Sequence, residues 1–219
     1  MDAAVQRLAP GVLDRRVKNP YRSGMARPKG FNRDEALQAG VETFWRQGYA
    51  ATTTDDLARA MGIGRQSFYD TFGDKRRCYL EALRSYSRDE IGRQIEAMRG
   101  LAPLDAVRAL LRGPADAEKA RRGLGCLAVN AFTEHGGQDP EVLAALKPSG
   151  EQLEAAVLDV LRDAKTRGDL PASLDERRAT RAILTVRAGL MVRAKAGAPS
   201  AELREVADFA VDQLTPAGA

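Results

Sequence analysis

Histidine, cysteine and tryptophan are scarce in this chain of 219 residues. It holds one histidine, His135, two cysteines, Cys78 and Cys126, and one tryptophan. Two cysteines imply no disulfide framework, and no C-x-x-C or Cys/His spacing suggests a metal site. A single histidine narrows the choice of acid–base groups. Paired carboxylates, a glycine-rich phosphate loop and a Ser/His/Asp set are also missing, so neither an enzyme nor a cofactor is expected. No apolar run approaches the roughly 18 residues of a membrane span, and the N-terminus lacks the apolar core of a secretory signal. No membrane partner is expected, and a reducing, cytoplasmic setting is. Aromatic residues make up only 5 % of the chain against 44 % hydrophobic residues overall. That balance of aliphatic and alanine residues favours an all-α fold over a sandwich or barrel.

What is present is organised around Thr53–Lys75, TTDDLARAMGIGRQSFYDTFGDK. Thr53 with Asp56 three residues later is a start signal of the capping-box kind. Leu57, Ala58 and Met61 recur at helical spacing. Gly62 suits the left-handed stop of a first helix, Ile63 is the apolar residue of the corner, and Gly64 opens a second helix. Phe68 and Phe72 pin that second helix to the first, while Arg65, Gln66, Ser67 and Tyr69 form its other face. Eight residues span about 12 Å, close to the width of a DNA major groove.

This is a helix-turn-helix pattern with the second helix as the reader. Together with the ending Tyr69-x-x-Phe72-x-x-Lys75, and with the flanking Phe31–Tyr49 and Leu83, it resembles the tetracycline-repressor (TetR) family of bacterial transcription regulators. The motif-level likeness covers about a quarter of the chain. Many members carry Ser or Thr where Gly64 stands here; glycine tolerates that cap position at a cost of a few tenths of a kcal/mol. The resemblance implies a homodimer, a palindromic operator in double-stranded DNA, and a small-molecule effector that releases it. It also implies a three-helix DNA-binding domain followed by a larger helical effector-binding and dimerisation domain. A helical interaction module whose helix-turn-helix no longer reads DNA is the alternative.

Residues 1–24 show no amphipathic period and read as a poorly ordered tail. Residues 25–75 form the DNA-binding domain and 76–215 the effector domain. Residues 1–77 carry 14 Lys and Arg against 9 Asp and Glu, and the remainder 20 against 21. The basic excess therefore lies on the side of the reader, as phosphate binding requires, although the tail supplies a large part of it. Arg27 and Lys29 are either a basic arm for the minor groove or a charged leader. Arg65 is matched to guanine and Gln66 to adenine. Ser67 suits a base or a phosphate and Tyr69 a phosphate, while Thr53 and Lys75 are expected to clamp the backbone.

Beyond the reader, helix one starts at Asn32-x-x-Glu35 and stops at Gly48, with Trp45 as a packing residue. Asp74 starts a helix running toward Gly100. Breaks are expected at Gly113-Pro114, and a bend at Pro148–Gly150. Gly125–His135 is apolar almost all round and reads as a buried helix. On it, Cys126, Leu127, Asn130, Phe132 and His135 are candidate effector contacts. The competing reading makes Cys126 a small buried hydrophobe and gives Asn130 a backbone partner. Residues 175–196 and 201–214 read as two further helices, which resemble the family's dimerisation pair.

Overall fold

The computed structural model describes residues 30–135 and 137–215, so the 1–24 tail, Arg27 and Lys29 lie outside the described residues. Among those described, ten helices follow one another and no strand occurs. The first, α1 (Arg33–Ala51), begins where the Asn32 side chain accepts from the backbone N–H of Asp34 and Glu35. Its buried stripe is Ala36, Leu37, Val41 and Phe44. Gly48 then leaves the helix at φ 77°, a conformation open to glycine because it lacks a Cβ, and one last turn follows. The corner pair is α2 (Thr54–Ala60) and α3 (Arg65–Phe72). Asp74 caps the long α4 (Lys75–Met98), accepting from Arg77 N–H at 2.8 Å.

The larger half is built from α5 (Pro103–Asp116), α6 (Lys119–Leu124), α7 (Leu127–His135) and α8 (Pro140–Arg167), then α9 (Glu176–Lys195) and α10 (Ser200–Asp212). Asp139 and Asp175 cap α8 and α9 through backbone N–H groups. An acid at each helix start also meets the positive end of the helix dipole.

Two apolar cores organise the packing. The first joins α1, α2, α3 and the front of α4, with Phe44, Leu57, Phe68, Tyr79 and Leu83 fully buried. It also takes in Leu127, Ala131, Val142 and Leu146 from α7 and α8. The second joins the end of α4 to α5, the rest of α8, α9 and α10, around Val107, Leu111, Val157, Leu161 and Leu203. Apolar packing thus runs straight across the 75/76 boundary, and α4 belongs to both cores.

Three local features differ from the sequence reading. Helix α5 continues through Gly113-Pro114 to Asp116. Proline removes one hydrogen bond there, but it falls in the last turn, where Ala115 still packs into the core. The long helix expected after Asp139 is present as α8, which runs on past Pro148 with Val142, Ala145 and Leu146 before it and Leu153, Val157 and Leu161 after it all buried. The short α6 has no buried residue, so no apolar period announced it. Helix α7 buries only Leu127 and Ala131, while Phe132 is 42 % exposed. Its apolar composition overstated its burial, since one face alone meets α1 and α8.

Phe68 is fully buried, with its ring 5.6 Å from that of Phe72. Phe68→Ala is expected to cost about 3–5 kcal/mol, read as a lower urea midpoint with an unchanged slope.

Candidate nucleic-acid interface and effector cavity

Thr53 builds the corner as a reciprocal cap. Its hydroxyl accepts from Asp56 N–H at 3.1 Å, and the Asp56 carboxylate accepts from Thr53 N–H at 3.0 Å. The Thr53 hydroxyl also donates to that carboxylate at 2.6 Å, and this bond, followed by the one from Thr53 N–H, holds the half-buried Asp56 carboxyl below its ordinary range. Gly62 turns the chain at φ 66°, and Ile63 N–H closes on Ala58 O at 3.0 Å. Helix α3 starts at Gly64 without a side-chain cap, so its first N–H groups keep their hydrogen-bonding capacity. Gly73, at φ 82°, ends it on Tyr69 O.

Phe68 and Phe72 face inward, while Arg65, Gln66 and Tyr69 are exposed and Ser67 is half-buried. The two base-reading candidates are held by acids. The Arg65 guanidinium donates to both oxygens of Asp55, at 2.5 and 3.0 Å. Gln66 donates from Nε2 to Asp70 at 2.9 Å. Neither acid was singled out from the sequence, where Asp55 reads as an ordinary first-turn residue.

Lys75 has partners other than the expected phosphate. Its ammonium donates to Thr52 O at 2.7 Å, approaches Ala50 O at 3.5 Å, and sits 4.3 Å from the Tyr49 ring centre. A cation at the start of α4 is thereby stabilised by carbonyls and an aromatic face, and it ties α4 to the end of α1. Two further links join the halves. Glu134 on α7 accepts from Tyr49 and Ala50 N–H, at 3.0 and 2.8 Å, beside the Gly48 kink. Arg76 pairs with Asp139 at 2.5 Å and Glu141 at 3.1 Å.

A cavity of about 200 Å³ lies among α1, α4, α5, α6, α9 and the Gly125-Cys126 link that leads into α7. Cys126 lines it, 8 % exposed. Burial pushes the Tyr86 hydroxyl well above its usual range, and the neighbouring Cys126 adds to the shift. The other thiol, Cys78, is wholly enclosed in the first core and pushed up to about 12 by burial. The remaining candidates fall elsewhere. Leu127 and Asn130 border a separate recess with Lys195. Asn130 is already occupied, donating to Leu124 O at 3.0 Å and accepting from Lys195 at 2.8 Å. Phe132 lines neither space, and the His135 ring lies tilted against both Tyr49 and Tyr79, 5.6 Å from each centroid.

Several cavity residues escaped the sequence reading. Trp45 was expected only to pack; it does, donating to Gly125 O at 3.1 Å, yet it also lines the cavity. Glu90, Arg93 and Gln94 read as a solvated face of α4. The readable signal was Arg187, a cation inside the apolar period of α9.

A short exposed helix, held at a fixed angle by a reciprocal cap and two phenylalanines, is what a major groove accepts. The chain is by class a helix-turn-helix DNA-binding regulator of transcription. Residues 36–82 match the model of the bacterial regulatory proteins of the tetR family, and residues 103–209 that of the tetracyclin repressor-like C-terminal domain. With both halves accounted for, the chain belongs to the TetR family.

Its relatives agree. An uncharacterized HTH-type transcriptional regulator, YezE of Bacillus subtilis, is 32 % identical over 148 residues, 67 % of this chain and 76 % of that protein. The HTH-type transcriptional repressor ComR of Escherichia coli is 25 % identical over 185 residues, 83 % of this chain and 88 % of that one. Among solved structures, a cysteine mutant of the TetR family regulator CifR, complexed with 26-base-pair operator DNA, superposes with a TM-score of 0.72 at 30 % identity, covering 84 % of this chain and 98 % of that one.

Lys75→Ala is expected to lower stability by about 1–2 kcal/mol, below the full 1.5–3 of a charge-assisted bond because the site is partly solvated. A thermal midpoint that falls before any operator is added is the observation that checks it.

Proposed function

We propose that this regulator is a homodimeric repressor that grips a palindromic operator and lets go when a small molecule fills the cavity. The observation that carries this reading is the span of α4. Its first residue, Lys75, is bonded to the Thr52 carbonyl beside the corner, and its later residues Tyr86, Glu90 and Gln94 line the cavity. At about 1.5 Å per residue, one rigid rod carries a shift in the cavity some 20 Å to the reader. A ligand that favours the shifted conformer needs only about 1–3 kcal/mol of coupling to change operator affinity 5–150-fold.

The two-fold partner that a single reader needs fits the outer face of α9 and α10. Val192, Val206 and Phe209 are exposed there, Phe209 by 64 %. Ala182 and Gly189 on the same side of α9 are small enough for close helix approach. In this reading Arg65 reaches a guanine and Gln66 an adenine after leaving Asp55 and Asp70, Ser67 and Tyr69 meet base or phosphate, and Arg27 and Lys29 serve as a minor-groove arm. The cellular setting is cytoplasmic; no described helix is long and apolar enough to cross a membrane. A mobility-shift titration on the protein's own promoter region tests the whole proposal. Binding should fall steeply with salt as counterions are released, and binding that ignores salt would sink it.

Two substitutions sharpen the test. Arg65→Ala should leave the thermal midpoint in place but relax base choice at one operator position by about 1–3 kcal/mol, read by selection from a random DNA pool. Phe209→Asp should give a folded monomer by sedimentation, with operator affinity lost.

A further inference from the structure

The charged groups of the cavity are unevenly matched. Arg93, Arg121 and Arg122 line it, and Glu90 is the one carboxylate in the wall. Glu90 is already engaged, pairing with Arg93 at 2.5 Å and Arg121 at 3.3 Å and accepting from Gln94 Nε2 at 2.8 Å. Burial alone would raise its carboxyl, but the bonds from Arg93 and Gln94 hold it below the usual range. Arg121 also lies 5.2 Å over the Trp45 ring. Arg122 bonds only Ser200 Oγ and, at 3.5 Å, Ala115 O.

Behind this wall stands Arg187, 8 % exposed. Among the described residues its one side-chain hydrogen-bond partner is the Gln94 amide oxygen, 2.5 Å from Nη2, and its Nε has none. Desolvation pushes the guanidinium below its ordinary range. The Glu90 carboxylate acts on it through space and through the bridging Gln94, but no carboxylate among the described residues bonds the guanidinium directly. An enclosed cation without a direct counter-charge is costly. Nε and Nη2 together form the edge that a carboxylate engages with both oxygens. Here a single neutral acceptor covers half of that edge, and the residue supplying it, Gln94, faces the cavity.

The remaining wall is apolar, from Trp45, Leu110, Pro114 and Met191. A dry apolar cavity near 150 Å³ holds one benzene ring, so about 200 Å³ takes a ring with a short polar tail. We infer that the ligand of this cavity is a compact organic anion, an apolar body about the size of one ring carrying a carboxylate, whose two oxygens displace the Gln94 amide from Arg187. The inference rests on reading the cavity as the effector site.

Trp45, the sole tryptophan, stands in the wall and reports occupancy by its emission. Phenylacetate, phenylacetamide and 2-phenylethylamine make a matched set of anion, neutral and cation. Titrated into the full chain, phenylacetate should bind at least tenfold tighter than either of the others. Arg187→Met should bring acid and amide within about twofold of each other, and Arg187→Lys should keep part of the preference. Gln94→Leu, which removes the resident acceptor, should tighten the acid and leave the amide unchanged; this keeps the test open should Arg187→Met fail to fold. Equal or better binding of amide or amine, or a preference that survives in Arg187→Met, overturns the anionic class and leaves the effector site standing. If no probe of any charge alters the emission or the thermal midpoint, both the ligand class and the effector site fall.

Discussion

The continuity of α4 is the constraint from which the rest follows. A helix that lies in two apolar cores cannot tilt at one end without repacking the other, because close-packed interiors shift between discrete arrangements rather than deform smoothly. Tyr79 and Leu83 lock its front half against the reader's core, and Ile91 and Met98 lock its tail against α5 and α8. The Arg76 pairs with Asp139 and Glu141 add a side brace from the start of α8. The DNA-binding half is therefore a three-helix unit seated on a lever, and the lever's far end is a cavity wall.

Electrostatics gives the free protein a restrained reading face. Asp55 and Asp70 hold Arg65 and Gln66 in defined positions. These are exposed pairs of modest individual strength, so under the proposed function operator binding would have to displace them.

Much of this was legible in the sequence, and the reasons are local. The capping box at Thr53 and Asp56, the Gly62 corner and the pair Phe68 and Phe72 act over three or four residues, so spacing alone located them. The start at Asn32, the break at Gly48 and the late helices α9 and α10 were equally readable. What escaped depends on distant chain segments. Glu90, Arg93 and Gln94 look like a solvated face until α6 and α9 close over them. The Thr52 carbonyl that Lys75 meets lies some 23 residues back in the chain, beyond the reach of local spacing. Cys126 borders the cavity while Leu127, Asn130, Phe132 and His135 do not, because a helix sends successive side chains to different sides. Pro114 looks like a break because local propensity cannot weigh the tertiary burial around it.

The kink at Gly48 has a bearing on how such regulators diversify. Its last helical turn receives its acceptor not from nearby residues but from Glu134, some 85 positions downstream. Gly48 itself would place an added Cβ 3.4 Å from that carboxylate, at a backbone angle only glycine adopts with ease. The two halves are consequently not freely interchangeable modules. A hybrid that grafts a foreign helix-turn-helix unit onto this C-terminal half keeps the seam between them only if the glycine of one parent meets the acid of the other.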